Sequence, residues 1–166
     1  MFMRISLALL LVGALAAAAV AGQQKPAPRA GAAPGSAFDA FKKLAGDWVG
    51  QGEGASVNFK VTSGGSAVVE TELPGTNHEM VTIIHPDGSD LVLTHYCAVG
   101  NQPQMRAPGR LEGKQVAFKF VRATNMKSEK DMHMHSVTYT FVDDDTLKAE
   151  WTLYQEASPP APRCSS

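Results

Sequence analysis

Apolar and polar positions alternate in short runs along most of the chain. Val57, Phe59 and Val61 are spaced two apart, as are Val116, Phe118 and Phe120. The same spacing recurs in Val137, Tyr139 and Phe141, and in Leu147, Ala149, Trp151 and Leu153. A period of two puts each set on one face of a strand, so each set is predicted to point into a core. The runs cover approximately 47–54, 56–62, 66–73, 78–85, 90–98, 104–107, 115–122, 132–142 and 146–155. Between them stand "SGG", "PGTN", "PDGS", "GNQP", "PGRLEGK" and "DDD". These residues accept positive φ or preset a turn, and separators this short predict hairpins between sequential antiparallel strands. The longest connection, "ATNMKSEKD", is polar and predicts a loop at a sheet end.

Helical spacing occurs at the head of this region. In "SAFDAFKKLAG", Phe38, Phe41 and Leu44 recur every three residues, with Ser36 placed to cap the start and Gly46 to stop the end. The prediction is an all-β fold of about nine strands with a short N-terminal capping helix. So long a meander has two raw edges unless it closes, and an up-and-down antiparallel β-barrel is the simplest closure. Barrels of about eight strands can hold a small ligand.

The ends of the chain read differently. Residues 1–21 carry Arg4, then an apolar run rich in Leu and Ala, then Ala19-Val20-Ala21. That order predicts a cleaved signal peptide and an exported protein, periplasmic or extracellular, with no membrane insertion after cleavage. Residues 22–36 form a Pro/Ala/Gly-rich stretch that predicts a flexible spacer, and residues 157–166 predict a flexible tail. Residues 37–156 remain, enough for one domain with one core.

Removing Arg4, Lys25, Arg29 and Arg163 from the 15 Lys and Arg leaves 11 in the domain, against 16 Asp and Glu, a net charge of −5. The basic residues are scattered, which argues against a nucleic-acid partner, since phosphate binding needs concentrated positive charge. Cys97 falls in a strand run and Cys164 in the tail; no Cys-x-x-Cys is present. Cys97 is expected as a buried thiol, with a bridge to Cys164 left open.

"LAGDWVGQGEG", residues 44–54, resembles the Gly-x-Trp start of lipocalins and other calycin barrels. It also resembles the Gly-x-Trp-x-Gly-x-Gly start of nitrobindin-like haem barrels, with Gly46, Trp48, Gly50 and Gly52 in place. The pattern through "HYC", "NQP" and "HMH" looks like that of exported bacterial relatives of these barrels. The resemblance implies a calycin-like barrel in which Trp48, following Gly46, packs across the closed end. The resemblance gives no support for haem: the last strand, "DTLKAEWTLYQ", lacks the histidine that holds iron in nitrobindins, so an axial ligand would have to come from His95, His133 or His135.

The candidate chemistry lies in polar residues on faces assigned to the interior. In "DMHMHSVTYTF", His133 and His135 share parity with Val137, Tyr139 and Phe141. His95 shares a face with Leu91, Leu93 and Cys97, and Arg122 shares one with Val116, Phe118 and Phe120. In "SAVVETEL" both faces are half apolar, so the facing of Glu70 and Glu72 stays open. Three readings compete. The histidines can form a wet rim. They can join Arg122, Glu70 and Tyr96 as the polar wall of a ligand pocket. Or His133 and His135, about 7 Å apart as alternate strand residues, can bind zinc with His95 as third ligand. The Gly-x-Ser-x-Gly elbow, the phosphate-cradling Gly-rich loop and His-Glu-x-x-His are all missing from the sequence, which argues against the commonest catalytic classes. The expectation is a small-molecule carrier for an amphipathic or hydrophobic ligand, built around His95, Arg122, His133, His135, Glu70 and Tyr96. A metal-binding protein or hydrolase on the three histidines is the alternative, and a structural barrel without ligand the third. No cofactor is required by the sequence.

Overall fold

Ser36 starts the α-helix as its sequence position implies. Its Oγ accepts the Asp39 N–H at 3.2 Å at the head of α1 (Ala37–Lys43), with Asp39 in the first turn and Lys42 and Lys43 in the last, matching the helix dipole. Gly46 then adopts φ 140°, a value that favours glycine, and turns the chain into the first strand. The computed structural model describes residues 36–51 and 54–156. Of the two units into which the chain divides, Met1–Ala30 and Gly31–Ser166, the second holds every described residue. The predicted signal peptide, the spacer as far as residue 35, Gly52 and the tail with Cys164 lie outside the described residues.

Nine strands follow: β1 (Gly46–Val49), β2 (Ser56–Thr62), β3 (Ala67–Glu72), β4 (Met80–Asp87), β5 (Asp90–Tyr96), β6 (Gln102–Pro108), β7 (Gln115–Thr124), β8 (His133–Asp143) and β9 (Thr146–Tyr154). Each pairs antiparallel with the next, so sheet order equals chain order. Among the described residues no ladder joins β9 to β1, and the sheet is a curled half-barrel. Prolines inside strands stand where a ladder on one side has ended. Pro86 pairs with Leu91 after the β3 ladder stops at Ile84, and Pro103 pairs with Ala123 after the β5 ladder stops at Gln104. The missing N–H therefore costs no sheet bond there.

The curl brings distant strands face to face over one apolar core. Phe41 of α1 is fully buried and meets Tyr139 edge-on at 5.0 Å, Phe141 at 5.2 Å and Phe118 at 6.1 Å between ring centroids. Val68, Ile84, Leu93, Met105 and Val137 fill the same cluster, as the alternation predicts for Leu93 and Val137. Trp48 is half-buried: its Nε1–H donates to the Leu44 carbonyl at 2.7 Å while its ring stands edge-on to Phe59 at 6.4 Å. Trp48 thus ties the end of α1 to β1 and β2.

Besides an extra residue at Val142, next to the β8–β9 turn, two β-bulges break the alternation. Met105 pairs with Phe120 but Gln104 with Arg122, so Val121 is an extra residue in β7. Met134 pairs with Leu153 but Ser136 with Thr152, so His135 is an extra residue in β8. The β7–β8 ladder itself ends at Lys119↔Ser136, just before both bulges, and the two strands are unpaired beyond it.

Candidate functional site

The interior holds a row of cross-strand neighbours that is only partly apolar. Phe59, Glu70, Thr82 and His95 pair in register across β2, β3, β4 and β5. Glu70 is 3% exposed and Val68 fully buried, which settles that face of β3 as inward; Glu72 on the same face is half-buried. Tyr139, fully buried on β8, donates its hydroxyl hydrogen to Glu70 Oε2 at 2.5 Å. Burial, and next the charge of Glu72, push the Glu70 carboxyl up to about 8 against the pull of that hydrogen bond. Burial also raises Glu72, and burial followed by the Glu70 charge holds the Tyr139 hydroxyl well above its usual range.

His95 is 1% exposed. Its Nδ1 meets Thr82 Oγ1 at 2.8 Å, its ring packs on Trp151 of β9 at 4.6 Å, and burial lowers its pKa to about 4. Its Nε2 is buried without a hydrogen-bond partner among the described residues. Shifted groups often mark functional sites. Here, however, Glu70, His95 and Tyr139 sit inside packed strands, and their geometry is that of a polar layer in the core.

Arg122 and Tyr96 stand elsewhere. The bulge at Val121 moves Arg122 off the face of Phe118 and Phe120 and pairs it with Gln104, whose Oε1 accepts from Arg122 Nε at 3.0 Å. Both Arg122 and Tyr96 are exposed, and they share a shallow cleft of about 300 Å³ with Thr94, Gln102, Gln104 and Thr124. The sequence expectation of an inward Arg122 is corrected by that single extra residue.

The bulge in β8 acts on the histidines likewise. His133 is 2% exposed, His135 is exposed, and Met134 packs on the core rather than pointing away from it. The two imidazoles still adjoin. His133 Nδ1 lies 2.7 Å from the Asp131 carbonyl, which only accepts, so Nδ1 carries the hydrogen. In that tautomer Nε2 is the acceptor, 3.1 Å from His135 Nδ1, and the Nε2 lone pair of His135 is left available.

Four rings meet where the β7–β8 ladder has ended. Phe120 stacks on His135 with planes 18° apart and centroids at 4.9 Å, and His133 stacks on Tyr154 at 29° and 5.0 Å. These rings line a cleft of about 740 Å³, within the range of small-molecule sites. The loop residues Lys127, Ser128, Glu129 and Lys130, together with Arg122, form its polar side. Asp131 shapes that loop: its carboxylate accepts the N–H groups of Lys127 at 2.7 Å and Ser128 at 3.2 Å. Of the sequence candidates, His133, His135 and Arg122 meet in this cleft, whereas Glu70 and His95 lie in the interior row and Tyr96 on the outer face. Phe120 and Tyr154 were not anticipated as site residues. Phe120 reads as core by its spacing, Tyr154 falls on the face opposite to Leu147, Trp151 and Leu153, and the end of a ladder leaves no mark in a single sequence.

The three histidines do not converge. Among the described residues no group of three or more His, Cys, Asp or Glu side chains is arranged to hold a metal ion. The Nε2 of His133, the atom a metal would need, is already engaged by His135. No protein-family model and no curated protein matches the chain.

Proposed function

We propose that the protein binds a small amphipathic molecule in the cleft between the ends of β7 and β8. The single observation behind this is the paired stacking of Phe120 with His135 and of His133 with Tyr154 around one cleft of about 740 Å³. Ring faces at the wall of a cleft offer an apolar floor to a flat ligand, and the polar loop opposite offers hydrogen bonds and charge to its other end. The reading keeps the ligand class expected from sequence and moves the site from the barrel interior to the mouth. The interior row of Glu70, Thr82, His95 and Tyr139 then serves to hold the scaffold together. The curled meander opening on Gly46-x-Trp48, with Phe41 of α1 against its inner face, supports a calycin-like relationship. The pattern of residues 1–21 supports export, to the periplasm or beyond.

Titration with phenylnaphthylamine, an apolar dye that brightens when bound, tests the site. Saturable binding of one dye per chain, weakened about tenfold or more in Phe120→Ala, is the expected result. Absence of binding, or binding indifferent to Phe120, overturns it.

A further inference from the structure

The cleft gathers cations in a domain that is negative overall. The domain carries 11 Lys and Arg against 16 Asp and Glu, yet among the described residues Arg122, Lys127 and Lys130 line this cleft with Glu129. Glu156 and the Asp131 carboxylate stand at its edge, so the cations that matter are those left uncommitted.

The cations are also unequally committed. Lys130 Nζ is paired with Glu156 at 3.0 Å. Arg122 uses Nε on Gln104, and among the described residues its two terminal amino groups have no acidic partner; nor has Lys127 Nζ. The loop that carries Lys127 is fixed by the Asp131 carboxylate on its backbone, and Lys130 N–H is held by Ser128 Oγ at 3.1 Å. Two available cations therefore stand on fixed backbone beside a floor of stacked rings. A planar guanidinium and an ammonium match an oxyanion, and the ring faces match an aromatic plane.

We infer that the cleft selects a planar aromatic anion, a carboxylate or sulfonate on a fused or linked ring system, with Arg122 and Lys127 on its charge and Phe120 and His135 on its ring face. The inference rests on the cleft reading above and adds the sign of the ligand's charge. His135 contributes on the ring side, and its available Nε2 accepts a hydrogen bond from a ligand N–H or O–H.

The test compares two dyes with the same rings, anilinonaphthalene sulfonate and phenylnaphthylamine, titrated into the full chain. The sulfonate is expected to bind roughly tenfold tighter, with the difference shrinking at high salt. The Arg122→Gln/Lys127→Gln variant is expected to abolish that difference while leaving the neutral dye unchanged. Phe120→Ala should weaken both dyes, and His135→Ala repeats the measurement on an exposed position should Phe120→Ala fail to fold. Equal affinity for the two dyes overturns the inference and leaves the cleft standing. A sulfonate advantage that survives in the double variant overturns it too, since the charge would then be read elsewhere. Failure of both dyes to bind removes the cleft reading along with the inference.

Discussion

Tyr139 on β8 donates its hydroxyl hydrogen to Glu70 on β3 at 2.5 Å, across four intervening strands of the sheet. The bond exists because the meander curls until its inner faces meet, and it satisfies the most deeply buried carboxyl of that face. Tyr139→Phe leaves Glu70 without its donor and is expected to cost about 1–3 kcal/mol, read from the urea midpoint. Adding Glu70→Leu to Tyr139→Phe should recover much of the loss, because an apolar pair carries no unmet hydrogen bond. A single variant as stable as the parent would sink this account.

Stability should depend on pH through two buried groups that oppose each other. Glu70 holds its proton up to about 8 in the fold against 4.5 unfolded, so its contribution is complete below 4.5 and is lost as pH rises through 8. His95 stays neutral down to about 4 against 6.5 unfolded, so its contribution is complete above 6.5 and is lost as pH falls through 4. Between 4.5 and 6.5 the two slopes offset; above 6.5 only the fall due to Glu70 remains, roughly 2 kcal/mol by pH 8. Burial of Glu72 contributes a loss of the same sign as pH rises above 4.5. Glu70→Gln keeps an acceptor for Tyr139 and should flatten most of the fall between 6.5 and 8, exposing the rise due to His95 at lower pH. Urea unfolding at a series of pH values measures both, and an undiminished wild-type stability at pH 8 contradicts the neutral Glu70.

The helix carries the next test. Phe41 is fully buried against Phe118, Tyr139 and Phe141, so Phe41→Ala is expected to cost about 3–5 kcal/mol, whereas Ser36→Ala removes only the cap of α1, about 1 kcal/mol. A comparable loss in the two variants would mean that the helix is held by its own hydrogen bonds rather than by Phe41.

The alternation places the core correctly in β2, β7 and β8. In the edge strand β9, which no further strand covers among the described residues, Leu147 and Trp151 are half-buried but Ala149 and Leu153 are exposed. Val116 and Phe118, and Val137 and Tyr139, all point inward as their period of two requires, and Ser36 caps the helix that Phe38, Phe41 and Leu44 mark out. The reading loses its footing at Val121 and His135, each a single inserted residue that shifts the facing of its neighbours. Parity counted from Phe118 puts Arg122 inside and parity counted from Val137 puts Met134 outside; the bulges reverse both. A bulge is a relation between two strands, set by how their ladders close, and neither Val121 nor His135 is a residue type that announces one. Glu70 posed a different problem. Its strand is half apolar on both faces, so only the curl that delivers Tyr139 decides which carboxylates are buried.

His133 and His135 are neighbours with separable roles, which gives the site its sharpest test. His133 is buried, donates from Nδ1 to the Asp131 carbonyl and packs between Phe120 and Tyr154. Replacing it with alanine opens a gap and frees that carbonyl, so a loss of about 1–3 kcal/mol is expected, with the loop over the cleft loosened. His135 is exposed, and His135→Ala should stay within about 0.5 kcal/mol of the parent while weakening dye binding through the lost ring face. Nitrogen NMR provides an independent check, because the hydrogen-bond chain requires His133 as the Nδ1–H tautomer with Nε2 accepting from His135. An Nε2–H tautomer at His133 breaks the chain at its first link. A His135→Ala variant that lost stability but kept the dye would assign His135 to the scaffold and leave Phe120 as the ring that meets the ligand.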